Sequence, residues 1–205
     1  MLTPPAMLST ASPALRLLLT VWREVARGLD LPGTVPAVTP RVAAILPIHR
    51  LVVRALDRER ARIETLAAAQ YDVDTPIAPR ASVDRGDVPA LAAWLREGRA
   101  TAWRAGEGGR LRALLVPTGL GGAVLVGPLG EGEGAAGVLV MEIAGDPTAH
   151  LRVFQALLEP FTVALANDRR LHEALRLREA AEAQNRALLS RLQRQDVSNA
   201  IINTN

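Results

Sequence analysis

The sequence predicts an α+β domain: an antiparallel sheet of about six strands with helices on one side, followed by a long C-terminal helix. Three observations carry this. The strand-like runs "RLVVRALD" and "ARIETLAAA" are separated only by Arg58, Glu59 and Arg60, the spacing of a hairpin. Four further strand-like runs follow, "RATAWR", "RLRALLVP", "AVLVGP" and "VLVMEIA", with glycine-rich turns between them. Short turns between consecutive strands imply antiparallel pairing. Last, Asp146 and Pro147 open a run rich in Arg, Leu, Ala and Glu that reads as helix to about Gln195.

The remaining elements fall between these. Residues 1–11 read as a loose leader. Ser12 caps a first helix with Pro13 at its first position, and Gly28 marks its stop. Along it Leu15, Leu18, Leu19, Trp22, Val25, Ala26 and Leu29 recur at helical spacing. Thr39 and Pro40 start a shorter helix that Pro47 ends. Tyr71 to Arg80 form a proline-rich loop. Asp87 then caps a helix with Leu91, Trp94 and Leu95 on one face, closed by Gly98.

Composition narrows the function. The chain has 205 residues, 49% of them hydrophobic, enough for one domain with an extension. There is no cysteine, which excludes disulfides, thiolate metal sites and cysteine nucleophiles. All 24 basic residues are arginine, so chemistry that needs a lysine amine is absent, the P-loop lysine included. The pI of 10.7 reflects arginine's high pKa, because the net charge is only +3. No basic face of the size that grips a nucleic-acid backbone is expected. The apolar stretch from Leu111 to Val126 is broken by Pro117 and three glycines and is too short to span a bilayer. The N-terminal apolar run lacks the flanks of a signal peptide. A soluble, cytoplasmic protein is expected.

The element order, the "RLVVRALD…ARIETLA" hairpin and the run "LLVPTGLGGAVLVGPL…AAGVLVMEIA" resemble a GAF domain, the small-molecule sensor module related in shape to PAS domains. The resemblance covers about residues 12–165. It implies a GAF-like sheet, a ligand cavity under the helix that carries Trp94, and helices at the two ends that pair in dimers.

Several motifs point to other functions. "GEGAAG", Gly132 to Gly137, matches the dinucleotide pattern G-x-G-x-x-G, but a strand and not a helix follows, and Glu131 and Glu133 would repel phosphate. It reads as a flexible hairpin loop. His49, His150 and His172 have no second ligand at helical spacing, so no metal is expected. No nucleophile elbow occurs, and GAF-type reductases use cysteines that this chain lacks. No catalytic residue and no cofactor are expected.

Trp94 and Trp103 flank the implied cavity, and Arg54, Arg99 and Arg104 lie on or beside strands where they could meet an anionic ligand bidentately. These five are the candidate ligand residues. The plainer alternative makes the tryptophans core and turns the arginines to solvent. Aromatics are only 3% of the chain, so the ring-rich lining of a haem or bilin pocket is missing.

The long helix carries a 3-4 spacing through Leu171, Ala174, Arg178, Ala181, Asn185, Leu188 and Leu192. That is a weak heptad seam, with small and polar residues at half its positions, suited to a dimeric helix with two registers close in energy. Residues 166–195 are therefore expected to be a signalling helix continuous with the last GAF helix from about 147, and 196–205 the start of a linker. The final Ile201, Ile202, Asn203, Thr204 and Asn205 resemble the opening of the AAA+ ATPase in sigma-54-dependent, enhancer-binding activators, with Asn203 where that family has glycine. The resemblance implies a sensor restraining or releasing an ATPase and a DNA-binding domain that lie outside this chain. A GAF module from a histidine kinase or cyclase, or a ligand-free dimerisation module, remain the alternatives.

Overall fold

The computed structural model describes residues 12–28, 30–71, 77, 79–130 and 137–202, with 188–202 described as backbone only. Six strands form one antiparallel sheet: β1 (Ile48–Asp57), β2 (Arg62–Gln70), β3 (Arg80–Ser82), β4 (Thr101–Trp103), β5 (Ala123–Leu129) and β6 (Gly137–Ile143). Their spatial order is β3-β2-β1-β6-β5-β4, so both edges are three-residue strands. Short edges limit open-ended pairing. The helices are α1 (Pro13–Arg27), α2 (Leu31–Ala43), α3 (Val88–Glu97), α4 (Gly109–Leu115) and α5 (Leu151–Ile202), the last preceded by a 3-10 turn at Pro147–His150. The fold is α+β and GAF-like, as the sequence predicts.

Sheet residues alternate between two apolar layers, as the two-residue period of a strand requires. Leu51, Val53, Leu125, Leu139 and Met141 meet α1, α2 and the start of α5. Val52, Leu56, Val124, Val126, Val138 and Val140 face the other way, toward α3 and α4. Helices thus cover both faces, where the sequence placed them on one. Leu91, Trp94 and Leu95 of α3 and Leu115 of α4 bury in the second layer. On the first face α5 approaches so closely that a Cβ at Gly127 would lie 2.6 Å from Leu158.

The first helix and the hairpin match expectation. Ser12 Oγ accepts from Leu15 N at 3.2 Å, and Gly28 ends α1. The buried stripe is Leu17, Val21 and Val25, however, and Leu15 and Leu19 of the anticipated face are exposed. The helix is apolar on most of its circumference, so periodicity alone could not choose the face.

Three elements differ from expectation. Helix α2 begins at Leu31, not Thr39, with Asp30 Oδ1 accepting from Gly33 N at 2.9 Å. Pro36 and Pro40 lie inside it, each removing a helical hydrogen bond at a typical cost of ~3 kcal/mol. Leu31, Thr34, Val35, Val38, Thr39 and Val42 fill one buried stripe, and that burial prevails.

The run "RLRALLVP" is helix α4 and not a strand. Gly108 and Gly109 take left-handed φ of 90° and 48° and turn the chain into it. Leu111, Leu114 and Leu115 then share a helical face toward the second layer. The sixth strand is instead β3, whose first residue, Arg80, falls at the end of the expected proline-rich loop. Finally, α5 does not stop near Gln195. It runs to Ile202, because neither glycine nor proline interrupts the chain after Pro160.

The chain divides into two units, the first ending at Asn167 and the second beginning at Asp168. In the second, Leu175 and Leu177 are exposed. Leu171 is half-buried, while Ala174, Arg178, Ala181 and Asn185 of the seam are exposed, and Arg178 Nε bonds Glu182 Oε1 at 2.8 Å. The side chains of Leu188 and Leu192 lie outside the described residues, as do residues 131–136 of the glycine motif. The strands flanking that motif pair antiparallel, with Leu129 opposite Gly137.

Candidate functional site

The face of the sheet beneath α3 and α4 carries buried charge. On β1, Arg50, Val52, Arg54 and Leu56 alternate onto this face, and Arg50 and Arg54 are 2% and 0% exposed. The two arginines are placed alike and satisfied differently.

Arg50 sits opposite Glu142 of β6, with Nη1 to Oε2 at 3.3 Å. Its Nη1 also donates to Gly119 O at 2.8 Å, and Glu142 Oε1 accepts from Gly122 N at 3.0 Å. A buried ion pair is tolerated when further hydrogen bonds support both partners, and here the loop after α4 supplies one to each, with Arg50 Nε left unbonded.

Arg54 has no carboxylate among the described residues. Its Nη1 donates to Leu115 O at 2.8 Å and, at 3.4 Å, to Leu114 O. These are the last carbonyls of α4, which have no helical partner and attract a cation. Nε and Nη2 are buried and make no hydrogen bond. Burial pulls its pKa down to about 10, so the guanidinium remains charged at neutral pH.

Arg112 of α4 completes the arrangement, Nη2 donating to Gly122 O at 2.7 Å and Leu120 O at 3.4 Å. The segment from Leu114 to Gly122 is therefore pinned by Arg50, Arg54, Arg112 and Glu142. A cavity of about 300 Å³ opens along it, lined among others by Glu107, Arg112, Val116, Pro117 and Leu120. A second, of about 420 Å³, lies between Arg96 of α3, Pro128 of β5 and Gln155, Glu159 and Thr162 of α5.

The five residues read from sequence separate. Trp94 and Trp103 are buried in the layer onto which Arg54 projects. The indole of Trp103 supports the turn into α4: a Cβ at Gly108 would lie 2.7 Å from its ring. Arg99 and Arg104 are exposed, and Arg104 Nη2 pairs with Asp146 Oδ1 at 3.2 Å. They stand apart from the buried site because Arg99 follows the αL stop at Gly98 and Arg104 begins the turn after β4.

Asp87 also differs from its expected role. Its side chain makes no cap bond to α3 and instead takes Arg110 bidentately, Nε to Oδ1 at 2.7 Å and Nη2 to Oδ2 at 2.8 Å. That link ties α3 to α4.

Arg50, Glu142 and Arg112 were missed as candidates. A usable signal existed for the first two: isolated charges of opposite sign within the apolar strands "RLVVRALD" and "VLVMEIA". Among the described residues no cluster of three His, Asp or Glu could hold a metal ion, and no helix is long and apolar enough to cross a membrane.

No protein-family model matches the sequence, and no curated protein does. Solved structures do match. Free methionine-R-sulfoxide reductase from Neisseria meningitidis, in complex with its substrate, is similar with a TM-score of 0.56 at 13% identity, over 80% of this chain and 95% of that one. The phycoerythrobilin-bound GAF domain from a cyanobacterial phytochrome gives 0.57 at 16%, over 80% and 99%. The GAF domain from a phosphoenolpyruvate-protein phosphotransferase of Coxiella burnetii gives those same values, 0.57, 16%, 80% and 99%. Identities this low speak to architecture alone: the chain has the GAF fold.

Proposed function

We propose that this chain is the signal-sensing region of a bacterial sigma-54-dependent transcriptional regulator, a non-enzymatic homodimer that controls a downstream AAA+ ATPase through α5. The observation that carries the reading is the continuity of α5. Its first turns place Phe154, Leu157, Phe161 and Leu165 in the core of the GAF fold, and the same helix continues to Ile202. A change in how the sheet layers pack thus has a direct covalent route out of the domain. A ligand can use that route only through different affinity for two arrangements of it.

Support for the finer statement comes from the resemblance of Ile201 to Asn205 to an AAA+ opening and from the seam through Leu171. Support for dimerisation comes from the exposed Leu15 and Leu19 on α1 and Leu175 and Leu177 on α5. Support for a sensor without catalysis comes from the absence of cysteine in a fold whose reductases use it. Arg54, Trp94 and Trp103 are the proposed ligand residues, and the ligand is a small molecule.

The test is to change the seam in the intact regulator. Replacing Arg178 and Asn185 together with Leu deepens helix pairing and should lock one output state, leaving ATPase activity insensitive to the sensor. A double variant that still responds like the wild type would reduce α5 to a tether. Sequence beyond Asn205 with a phospho-acceptor histidine in place of a Walker lysine would reassign the output to a kinase.

A further inference from the structure

Arg54 is an incomplete site, and the part left incomplete has a specific shape. A guanidinium has two forked edges. The Nη1 end is committed to Leu115 O and Leu114 O. The free donors, Nε and Nη2, make up the other edge, whose two N–H vectors run parallel. What that edge binds is shown elsewhere in the molecule, where the Nε and Nη2 of Arg110 hold both oxygens of Asp87. Arg54 presents the same edge in a buried layer with nothing on it.

Charge on this face selects the partner. Arg50 is neutralised by Glu142 and Arg112 is partly exposed, so Arg54 is the buried arginine of this face without a counter-ion among the described residues, and an anion of charge −1 balances it. A dianion would carry a second desolvated charge with no counterpart. Most positions beside Arg54 are apolar: Val52 and Leu56 on its own strand and Val138 directly opposite on β6, with Thr65 opposite on β2. An anion with an apolar body suits these neighbours, whereas a sugar phosphate brings more hydroxyls than such side chains can partner.

We infer that the unfilled Nε/Nη2 edge of Arg54 is the recognition group for a monocarboxylate with an apolar body, bound between β1 and α4. This rests on the sensory reading above and names its ligand class. The two edges of one guanidinium then join ligand to scaffold. Carboxylate on the free edge reorients the group whose other end holds the C-terminus of α4, and with it the segment that Arg50 and Arg112 pin as far as Gly122.

Thermal unfolding with sodium benzoate tests the inference, run against sodium chloride at equal ionic strength and against benzyl alcohol. Benzoate should raise the melting temperature of the wild type saturably, by about 5–10 °C at a hundredfold excess over its dissociation constant. Benzyl alcohol should not. Arg54→Lys keeps the charge and removes the fork, and should weaken binding more than tenfold while still melting cooperatively. Arg54→Met should abolish the response.

Should either variant fail to fold, side-chain NMR of 15N-arginine-labelled wild type reads the same interaction. A buried Nε–H resonance should then shift with benzoate and not with benzyl alcohol. A benzoate response equal in Arg54→Met, or none in the wild type by either readout, overturns the inference. Saturable stabilisation by the neutral alcohol without any by benzoate would reject the ligand class and leave the sensory reading standing.

Discussion

The two faces of the sheet are built on opposite principles. Beneath α1, α2 and α5 the layer is almost wholly apolar, from Leu17 through Leu51 to Phe161. Beneath α3 and α4 the same strands turn two arginines and a glutamate into the interior among valines. Apolar burial is non-directional and close-packed, so the first face holds the fold. The second depends on hydrogen bonds and ion pairing, and it gives Arg50 a carboxylate and a carbonyl, with Nε alone unbonded, while leaving both Nε and Nη2 of Arg54 open. Packing and the proposed recognition thereby fall on different faces of one sheet.

The largest effect should come from the first face. Phe161 is fully buried on it, and Phe161→Ala should cost about 3–5 kcal/mol in urea unfolding. A much smaller loss would show that the α5 layer is not the principal core.

On the second face, Arg50→Met leaves Glu142 buried without its cation and should cost about 3 kcal/mol. Arg54→Met, four residues on, removes a buried charge that has no counter-ion, and its two bonds to α4 are lost in exchange. The change should lie within about 1 kcal/mol of wild type. Equal losses at both positions would erase the distinction between an arginine with a buried counter-ion and one without. Between these in size is Gly108→Ala, where a Cβ meets the Trp103 ring at a φ of 90°. A loss of about 2 kcal/mol is expected by calorimetry.

The sequence was most legible where local chemistry and packing agree. The Ser12 cap, the β1–β2 hairpin and the stop at Gly98 are local signals the fold preserves. Legibility failed where distant packing overrode a local rule. Pro36 and Pro40 argue against helix, and only the buried stripe from Leu31 to Val42 explains why α2 forms. "RLRALLVP" fits either period over so few residues, and the deciding feature is the pair of left-handed glycines before it.

The candidate site was half legible. Arg54 and the two tryptophans were within reach because a lone charge in an apolar strand stands out. That Arg54 has no carboxylate partner among the described residues, and that Arg99 and Arg104 are exposed, depends on which groups the topology brings near. No spacing along the chain encodes that.

The smallest effect concerns acid. The Arg110 fork beside Asp87 holds that carboxyl below its ordinary range, chiefly through the side-chain hydrogen bonds. A carboxyl whose folded pKa is depressed adds stability that is present above its unfolded pKa. The contribution fades as pH falls through the folded value, so this one is lost on the acid side of about pH 4. Asp87→Asn should remove that small contribution at neutral pH, leave stability in strong acid unchanged, and so flatten the acid limb of the stability–pH curve. Because this pair ties α3 to α4, acid should loosen the second face before the first. Trp94 and Trp103 lie there while Trp22 lies on α1, so in a Trp22→Phe background tryptophan fluorescence should change at a higher pH than the far-ultraviolet circular dichroism. In Asp87→Asn the fluorescence change should begin at higher pH still. Coincident fluorescence and dichroism transitions in the wild type would mean that the two faces unfold as one and that the charged layer is no weaker than the apolar one.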